Sequence, residues 1–293
     1  MLPPDFSKIT VDKIQLQQTI GKEMELHVLR LDKIHPVISG NKWFKLKYHL
    51  EKFSANNYKG ILTFGGAWSN HIIAAACACS MYNIKSVGII RGEKPKNLSP
   101  TLQLAEEYGM QLDFLSREAY SQKSNPDLLN YFLQLYPNFY VIPEGGSGLD
   151  GEKGMAEILK VVDLKLYTYI LCAIGTGTMF RGITSIISPT QTLFGVYVLK
   201  GFEQSNFAEA NQMTTSDYHF GGYAKQSLTL INFMNDFYER TGIPTDFVYT
   251  GKLFFAVEDL IKKNTFQKGS KLLVIHSGGL QGNASLTPNK LHF

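Results

Sequence analysis

The sequence predicts an α/β fold built on mostly parallel strands with helices on both faces, and three observations carry that reading. Strand-like and helix-like segments alternate along most of the 293 residues, the order that β-α-β units produce. Three strand-like segments run into a glycine loop and then a helix or turn: "ILTFGGAWSNH", "LCAIGTGTMFRG" and "LLVIHSGGLQGN". Hydrophobic residues make up 44% and charged residues 18%, a balance that supports a sizeable core rather than extended disorder. The length suits two modest domains, or one large domain carrying a smaller insertion.

Each element has a local reason. "LHVLRLD" (26–32) alternates and is β-rich. Residues 44–53 place Leu46, Leu50 and Phe53 on one helical face. "GILTFGG" (60–66) is a short apolar strand, and "SNHIIAAACACSMY" (69–82) is a helix apolar almost all round, hence buried. "SVGIIRG" (86–92) is another strand. The helix at 99–109 has Ser99 as N-cap, Pro100 at its first position and Gly109 at its end. Strands follow at 110–115 and 138–143. Residues 144–154, with five glycines in eleven positions, read as a loop and a domain crossover. Beyond it come a helix at 154–162 and a strand at 167–175. A further glycine loop and helix lead to a strand at 192–199, helices near 226–240 and 252–263, and a last strand at 271–279.

Bulk properties exclude several classes. The net charge of +4 and a pI near 8.7 give no basic stripe for nucleic acid. Cys77, Cys79 and Cys172 have no zinc-ligand spacing. The first two lie in an apolar alanine-rich run and read as buried thiols, which fits a reducing compartment. "MLPPDFSKIT" lacks a signal-peptide pattern, and no apolar run approaches bilayer-spanning length. The expectation is a soluble cytoplasmic protein with no membrane partner.

The chemistry concentrates at the strand ends, where open α/β sheets bind ligands. "GTGTMFRG" (175–182) offers backbone N–H groups from Gly175, Thr176, Gly177, Thr178 and Met179, with two threonine hydroxyls. It is neither a Walker A loop nor G-x-G-x-x-G, and it reads equally as a phosphate cradle or a tight strand-to-helix turn. "GGAWSNH" sets Ser69 and Asn70 at a helix start, where both are also ordinary capping residues. "VIHSGG" puts His276 and Ser277 at a strand end; alone, His276 reads as a structural hydrogen-bonding residue. "FGGYAK" and "VYTGK" each set a tyrosine beside glycine and lysine. "SGNKWFKLKY" places Lys42 directly after a Gly-Asn bend, with Lys45 one helical turn on and Lys47 as solvated charge. No carboxylate pair or metal-ligand constellation stands out. Lysine, serine and tyrosine around a phosphate site suit pyridoxal 5'-phosphate (PLP), whose aldehyde couples to a lysine amine.

In order, "SGNKWFKLKY", "TFGGAWSNH", "IPEGGS", "GTGTMFRG", "VYTGK" and "HSGG" resemble the 1-aminocyclopropane-1-carboxylate deaminase/D-cysteine desulfhydrase family, from about Ile38 to Gly279. The resemblance implies a tryptophan-synthase-β-like PLP fold (fold type II) of two three-layer α/β domains. Residues 1–46 with 144–293 would form the large PLP-binding domain, and 47–143 an inserted small domain. It implies Lys42 as the Schiff-base lysine, Asn70 on the cofactor's ring oxygen, and Ser69 as the active-site serine that contacts the substrate carboxylate or moves a proton. Gly175 to Met179 match the phosphate loop. Tyr249 and Tyr223 match active-site tyrosines, and Lys45 a second, electrostatic lysine that helps keep the Lys42 amine unprotonated. Trp68, Ser69, Asn70, His71 and Lys45 make the substrate side, and Thr250 and Ser277 the surroundings of the pyridine nitrogen. A homodimer acting on a small amino acid is the family expectation.

Ring-opening deaminases of this family typically carry Glu and Leu where this chain has Thr250 and Ser277. Neutral hydroxyls leave the pyridine nitrogen without an enforced proton and weaken the electron sink. A weaker sink still suffices when a good leaving group sits on the β-carbon. The expected reaction is therefore elimination from a D-amino acid such as D-cysteine, giving pyruvate, ammonia and sulfide. Trp68 in place of the common Gln, Met179 in place of a hydroxyl residue, and Lys96-Asn97 in place of Gly-Asn are departures, and Trp68 would reshape the substrate pocket. The competing readings are a 1-aminocyclopropane-1-carboxylate deaminase, a cofactor-binding protein without turnover, and a nucleotide-binding module.

Overall fold

The structure, a computed structural model, describes residues 3–19, 21–201 and 210–293. In chain order the elements are β1 (Val11–Ile14), β2 (Glu25–Arg30), α1 (Asn41–Ser54), β3 (Gly60–Gly65), α2 (Asn70–Met81), β4 (Ser86–Arg91), α3 (Pro100–Glu107) and β5 (Met110–Leu115). Then come α4 (Arg117–Ser121), α5 (Pro126–Leu135), β6 (Phe139–Ile142), α6 (Leu149–Glu157), β7 (Tyr169–Ile174), α7 (Thr178–Thr184) and β8 (Thr192–Tyr197). The chain ends with β9 (Gln212–Thr215), α8 (Leu228–Thr241), α9 (Thr250–Lys262) and β10 (Lys271–His276). The chain forms two compact units, one from Lys42–Gly154 and one from Asp5–Asn41 with Met155–Phe293.

The smaller unit holds a four-stranded parallel sheet in the order β5-β4-β3-β6. Every residue of β3 is buried, as a central parallel strand covered on both faces requires. On one face Leu62, Phe64, Val87 and Ile89 pack against Tyr120 of α4 and Phe132 of α5. On the other, α2 lies along β3 and beside α3. Ten consecutive α2 residues from Asn70 to Cys79 are buried, which is why the helix reads as apolar all round.

The larger unit holds a six-stranded sheet in the order β1-β2-β10-β7-β8-β9. All its pairings are parallel except β1 with β2. Leu26, Val28, Leu171, Val196, Leu272 and Val274 of the strands meet Leu253, Phe254, Val257 and Ile261 of α9 in one core. Mostly parallel strands with both faces covered match the predicted fold class.

Several elements differ from expectation. The glycine-rich 144–154 stretch is not all loop, because α6 starts at Leu149 inside it. Gly154 serves close packing instead: a Cβ there would overlap the Phe44 carbonyl. Helix α1 starts at Asn41, so Lys42 stands in its first turn. β1, β9, α4 and α5 were not anticipated. β1 shows one buried residue in four, and β9 lies at a sheet edge. In α5, Asn125 caps and Pro126 opens a helix, a recognisable start signal. Among the described residues, no helix is long and apolar enough to cross a membrane.

One backbone contact fixes where α1 begins. Gly40 has φ +63°, and a Cβ on it would overlap the Ser277 carbonyl. That same carbonyl accepts the Asn41 N–H at 3.1 Å. A left-handed conformation and a backbone-to-backbone approach at one position leave glycine alone without strain. Gly40→Ala is expected to cost roughly 3 kcal/mol from the combined αL and overpacking penalties, read as a lower urea midpoint at unchanged m-value. A loss within about 0.5 kcal/mol, the range of ordinary surface changes, would contradict this account.

Candidate active site

In the smaller unit three of the motifs converge. Ser69 N-caps α2, its Oγ accepting the His71 and Ile72 N–H groups at 3.3 Å each. Both lone pairs are then engaged, so the Ser69 hydroxyl meets a ligand as a donor. Asn70 opens the helix and is buried, while Trp68 is half-buried in the preceding turn. Lys42 is half-buried and Lys45 buried on α1. A Cβ on Gly146 would lie 3.1 Å from Lys45 Cβ and 3.5 Å from His71 Cε1. The "IPEGGS" turn therefore sits against Lys45 and His71. Lys47 is half-buried too, its Nζ 5.1 Å from the Tyr48 ring centre, rather than plainly solvated.

The hydrogen bonds fix the state of His71. Thr63 Oγ1 lies 2.8 Å from the Ile142 carbonyl and 2.8 Å from His71 Nε2. A carbonyl can only accept, so the single Thr63 proton goes to Ile142. His71 must then donate from Nε2. Burial, reinforced by the Lys42, Lys45 and His49 charges, holds the imidazole well below its ordinary pKa, so the ring is neutral. Its Nδ1 is a bare lone pair, buried with no hydrogen-bonding partner. Such an acceptor is costly to leave unmet, and a ligand N–H or O–H would satisfy it.

In the larger unit most of the remaining predicted residues lie along a series of contacts. The loop from Gly175 to Thr178 joins β7 to α7, with Gly177 at φ +80°. Thr176 and Thr178 share a hydroxyl bond of 2.9 Å, and Arg181 donates to the Thr176 carbonyl at 3.2 Å. A Cβ on Gly175 would come 3.0 Å from the Tyr249 ring. Met179 is buried, and the Asn41 amide reaches its sulfur at 3.7 Å. With two hydroxyls, first-turn N–H groups and no carboxylate, this loop has the donor set a phosphate needs. Ser277, buried, follows β10, and its carbonyl holds Asn41, the residue before Lys42. Tyr223 lies on an exposed turn.

Thr250 is fully buried, and its surroundings were not read from the sequence. Its Oγ1 donates to Asp246 Oδ1 at 2.7 Å and accepts the Asp246 N–H at 2.7 Å. Asp246 also accepts the N–H groups of Val248, Tyr249 and Thr250. All four carboxylate acceptor positions are filled, so Asp246 is spent on capping α9. The Asp-x-x-x-Thr spacing was the available signal. His276 is the structural residue expected of it: Nε2 donates to the Pro244 carbonyl at 2.7 Å, and Nδ1 lies 3.3 Å from Asp32. Asp32 is in turn held by two Arg30 contacts.

This arrangement is the fold of the fold-type II PLP enzymes. A solved structure described as an ACC deaminase homologue superposes with a TM-score of 0.80 at 22% identity, covering 94% of this chain and 90% of that one. No family model matches the chain. Among its homologues is a protein named putative 1-aminocyclopropane-1-carboxylate deaminase from Pyrococcus horikoshii, 26% identical over 92% of this chain and 89% of the relative. A second is the mitochondrial bifunctional D-cysteine desulfhydrase/1-aminocyclopropane-1-carboxylate deaminase of Arabidopsis thaliana, 26% identical over 88% of this chain and 73% of the relative. The similarity read from the motifs extends, in these relatives, across most of the chain.

The neutral His71 has a consequence for stability. Its folded pKa lies below the unfolded value near 6.5. Below that pH the unfolded chain binds a proton that the folded one refuses, so stability falls with acidity. His71→Gln is expected to flatten the acid limb of stability against pH by up to about 1.4 kcal/mol per pH unit. Parallel wild-type and variant curves between pH 5 and about 6.5 would refute the buried neutral ring.

Proposed function

We propose that the protein is a PLP-dependent lyase that eliminates a β leaving group from a D-amino acid, D-cysteine or a close analogue, releasing pyruvate, ammonia and sulfide. The observation that carries this choice is at Thr250. The position after Tyr249 holds a neutral hydroxyl whose proton is committed to Asp246, and the Asp246 carboxylate is itself saturated. No acidic group there is left to hold a pyridine nitrogen protonated, which suits substrates whose leaving group departs readily. Homologues named for both D-cysteine desulfhydrase and deaminase activity support the same class.

When bound, PLP supplies the electron sink that protein side chains lack. In this reading Lys42 provides the amine that holds the aldehyde, and Lys45 adds positive charge beside it. The Gly175, Thr176, Gly177, Thr178 and Met179 loop takes the phosphate through N–H groups and the two hydroxyls. Asn70 takes the ring oxygen. Thr250 has no proton to offer the ring nitrogen, so Ser277 supplies any donor there. Ser69 donates to the substrate carboxylate, the role its engaged lone pairs leave open, and Tyr249 and Tyr223 handle protons at the substrate. His71 accepts a ligand N–H at Nδ1, and Trp68 shapes the pocket. The same reading takes residues 1–46 with 144–293 as the PLP-binding domain, 47–143 as the inserted domain, and the working form as a cytoplasmic homodimer.

A panel of D- and L-amino acids with 1-aminocyclopropane-1-carboxylate, assayed for 2-oxo acids, tests the proposal. Pyruvate from D-cysteine is expected, with Lys42→Ala lowering turnover by about a thousandfold or more. Production of 2-oxobutanoate from the cyclopropane substrate without pyruvate from D-cysteine would transfer the protein to the deaminases. No turnover across the panel would make it a cofactor-binding protein only.

A further inference from the structure

Lys252 is a lysine with no exposed surface. Its Nζ donates to three backbone carbonyls: Gly222 at 2.7 Å, His219 at 2.9 Å and Val198 at 3.2 Å. Val198 follows β8 at the carboxyl end of the sheet, the end that also carries Gly175 and Ser277. The other two carbonyls belong to the turn that bears Tyr223. That turn is backbone-strained. Phe220 has φ +51°, Gly221 +89°, Gly222 +116° and Ala224 +52°, and phenylalanine and alanine rarely adopt such values. A run of left-handed residues persists only where its surroundings hold it. Phe220 is held by its ring against Phe255, with centroids 4.9 Å apart. The carbonyls on either side of the glycine pair are held by Lys252.

We propose that Lys252 is a positioning residue, a buried ammonium that clamps the strained His219–Gly222 turn to the end of β8 and so fixes Tyr223 for the reaction. The role in the reaction rests on the PLP-lyase reading; the clamp itself does not. An ammonium has three N–H groups for three carbonyls, and a neutral amine has two. Burial pushes the amine down to about 8, opposed by the Asp246 carboxylate. Lys200 lies against Gly222 and Lys225 against Gly221, and His219 supplies one of the carbonyls. Deprotonation therefore removes one of the three bonds, and the turn loosens as pH rises through about 8.

Hydrogen exchange over residues 219–225, corrected for the intrinsic pH dependence, tests the clamp in wild type and Lys252→Met. Protection of that segment is expected to fall about tenfold in Lys252→Met, and in wild type on passing from pH 7 to 9, while the β10 amides stay protected. Unchanged protection in both comparisons would overturn the proposal. If Lys252→Met does not fold, the wild-type pH series decides alone. Turnover then tests the positioning role. Lys252→Met, still carrying the cofactor on Lys42, is expected to lose activity to about the level of Tyr223→Phe, with Lys252→Arg restoring part of it. Full activity in Lys252→Met despite a loosened turn would reject positioning. Absence of cofactor or turnover in wild type would instead reject the lyase reading and leave the clamp standing.

Discussion

The seating of the Gly40 backbone on the Ser277 carbonyl is the constraint on which the site depends. It joins the exit of β10 to the first residue of α1 without any side chain. Lys42 follows one peptide bond later. The start of the helix that carries Lys42 is therefore set by backbone geometry. Asn41 strengthens the arrangement through its contact with Met179, which ties the start of α1 to the "GTGTMFRG" loop. Tyr249 lies on that same loop at Gly175. One close approach thus organises the ends of β7 and β10 and the starts of α1 and α9.

Around this frame, saturated polar groups decide what is left for chemistry. Asp246 looks like a candidate acid until its bonds are counted, and then it is a cap. Thr250 keeps no proton to give, and Ser69 no lone pair to offer. His71, with its Nε2 proton directed at Thr63, keeps a single buried lone pair. The same reasoning separates the buried lysines. Lys252 has its three protons on three carbonyls and holds a turn in place, while Lys45 lies in the first turns of α1 beside Lys42 and bears on charge. Hydrogen-bond supply is a stricter guide to role here than residue type.

Much of this was legible in the sequence where pattern and chemistry coincide. The apolar strand β7 and the largely buried α2 announce themselves by composition, and the glycine loops mark the carboxyl ends of the strands. The hydroxyl at Thr250 was visible, but its partner Asp246 was not singled out, because a capping bond to a residue four positions away resembles ordinary loop polarity. The 144–154 stretch misled because Gly154 serves close packing against Phe44 inside helix α6. β1 and β9 escaped because short strands at or near a sheet edge carry little hydrophobic alternation. The clamp at Lys252 depends on carbonyls 30, 33 and 54 residues away in sequence from the amine, which no local pattern encodes.

The most direct test of the account is borohydride reduction of the PLP-loaded protein followed by peptide mass spectrometry. The account predicts a phosphopyridoxyl group on Lys42, in the peptide that begins at the Gly40–Asn41 bend. A group on Lys45, on Lys252 or on no lysine would contradict it.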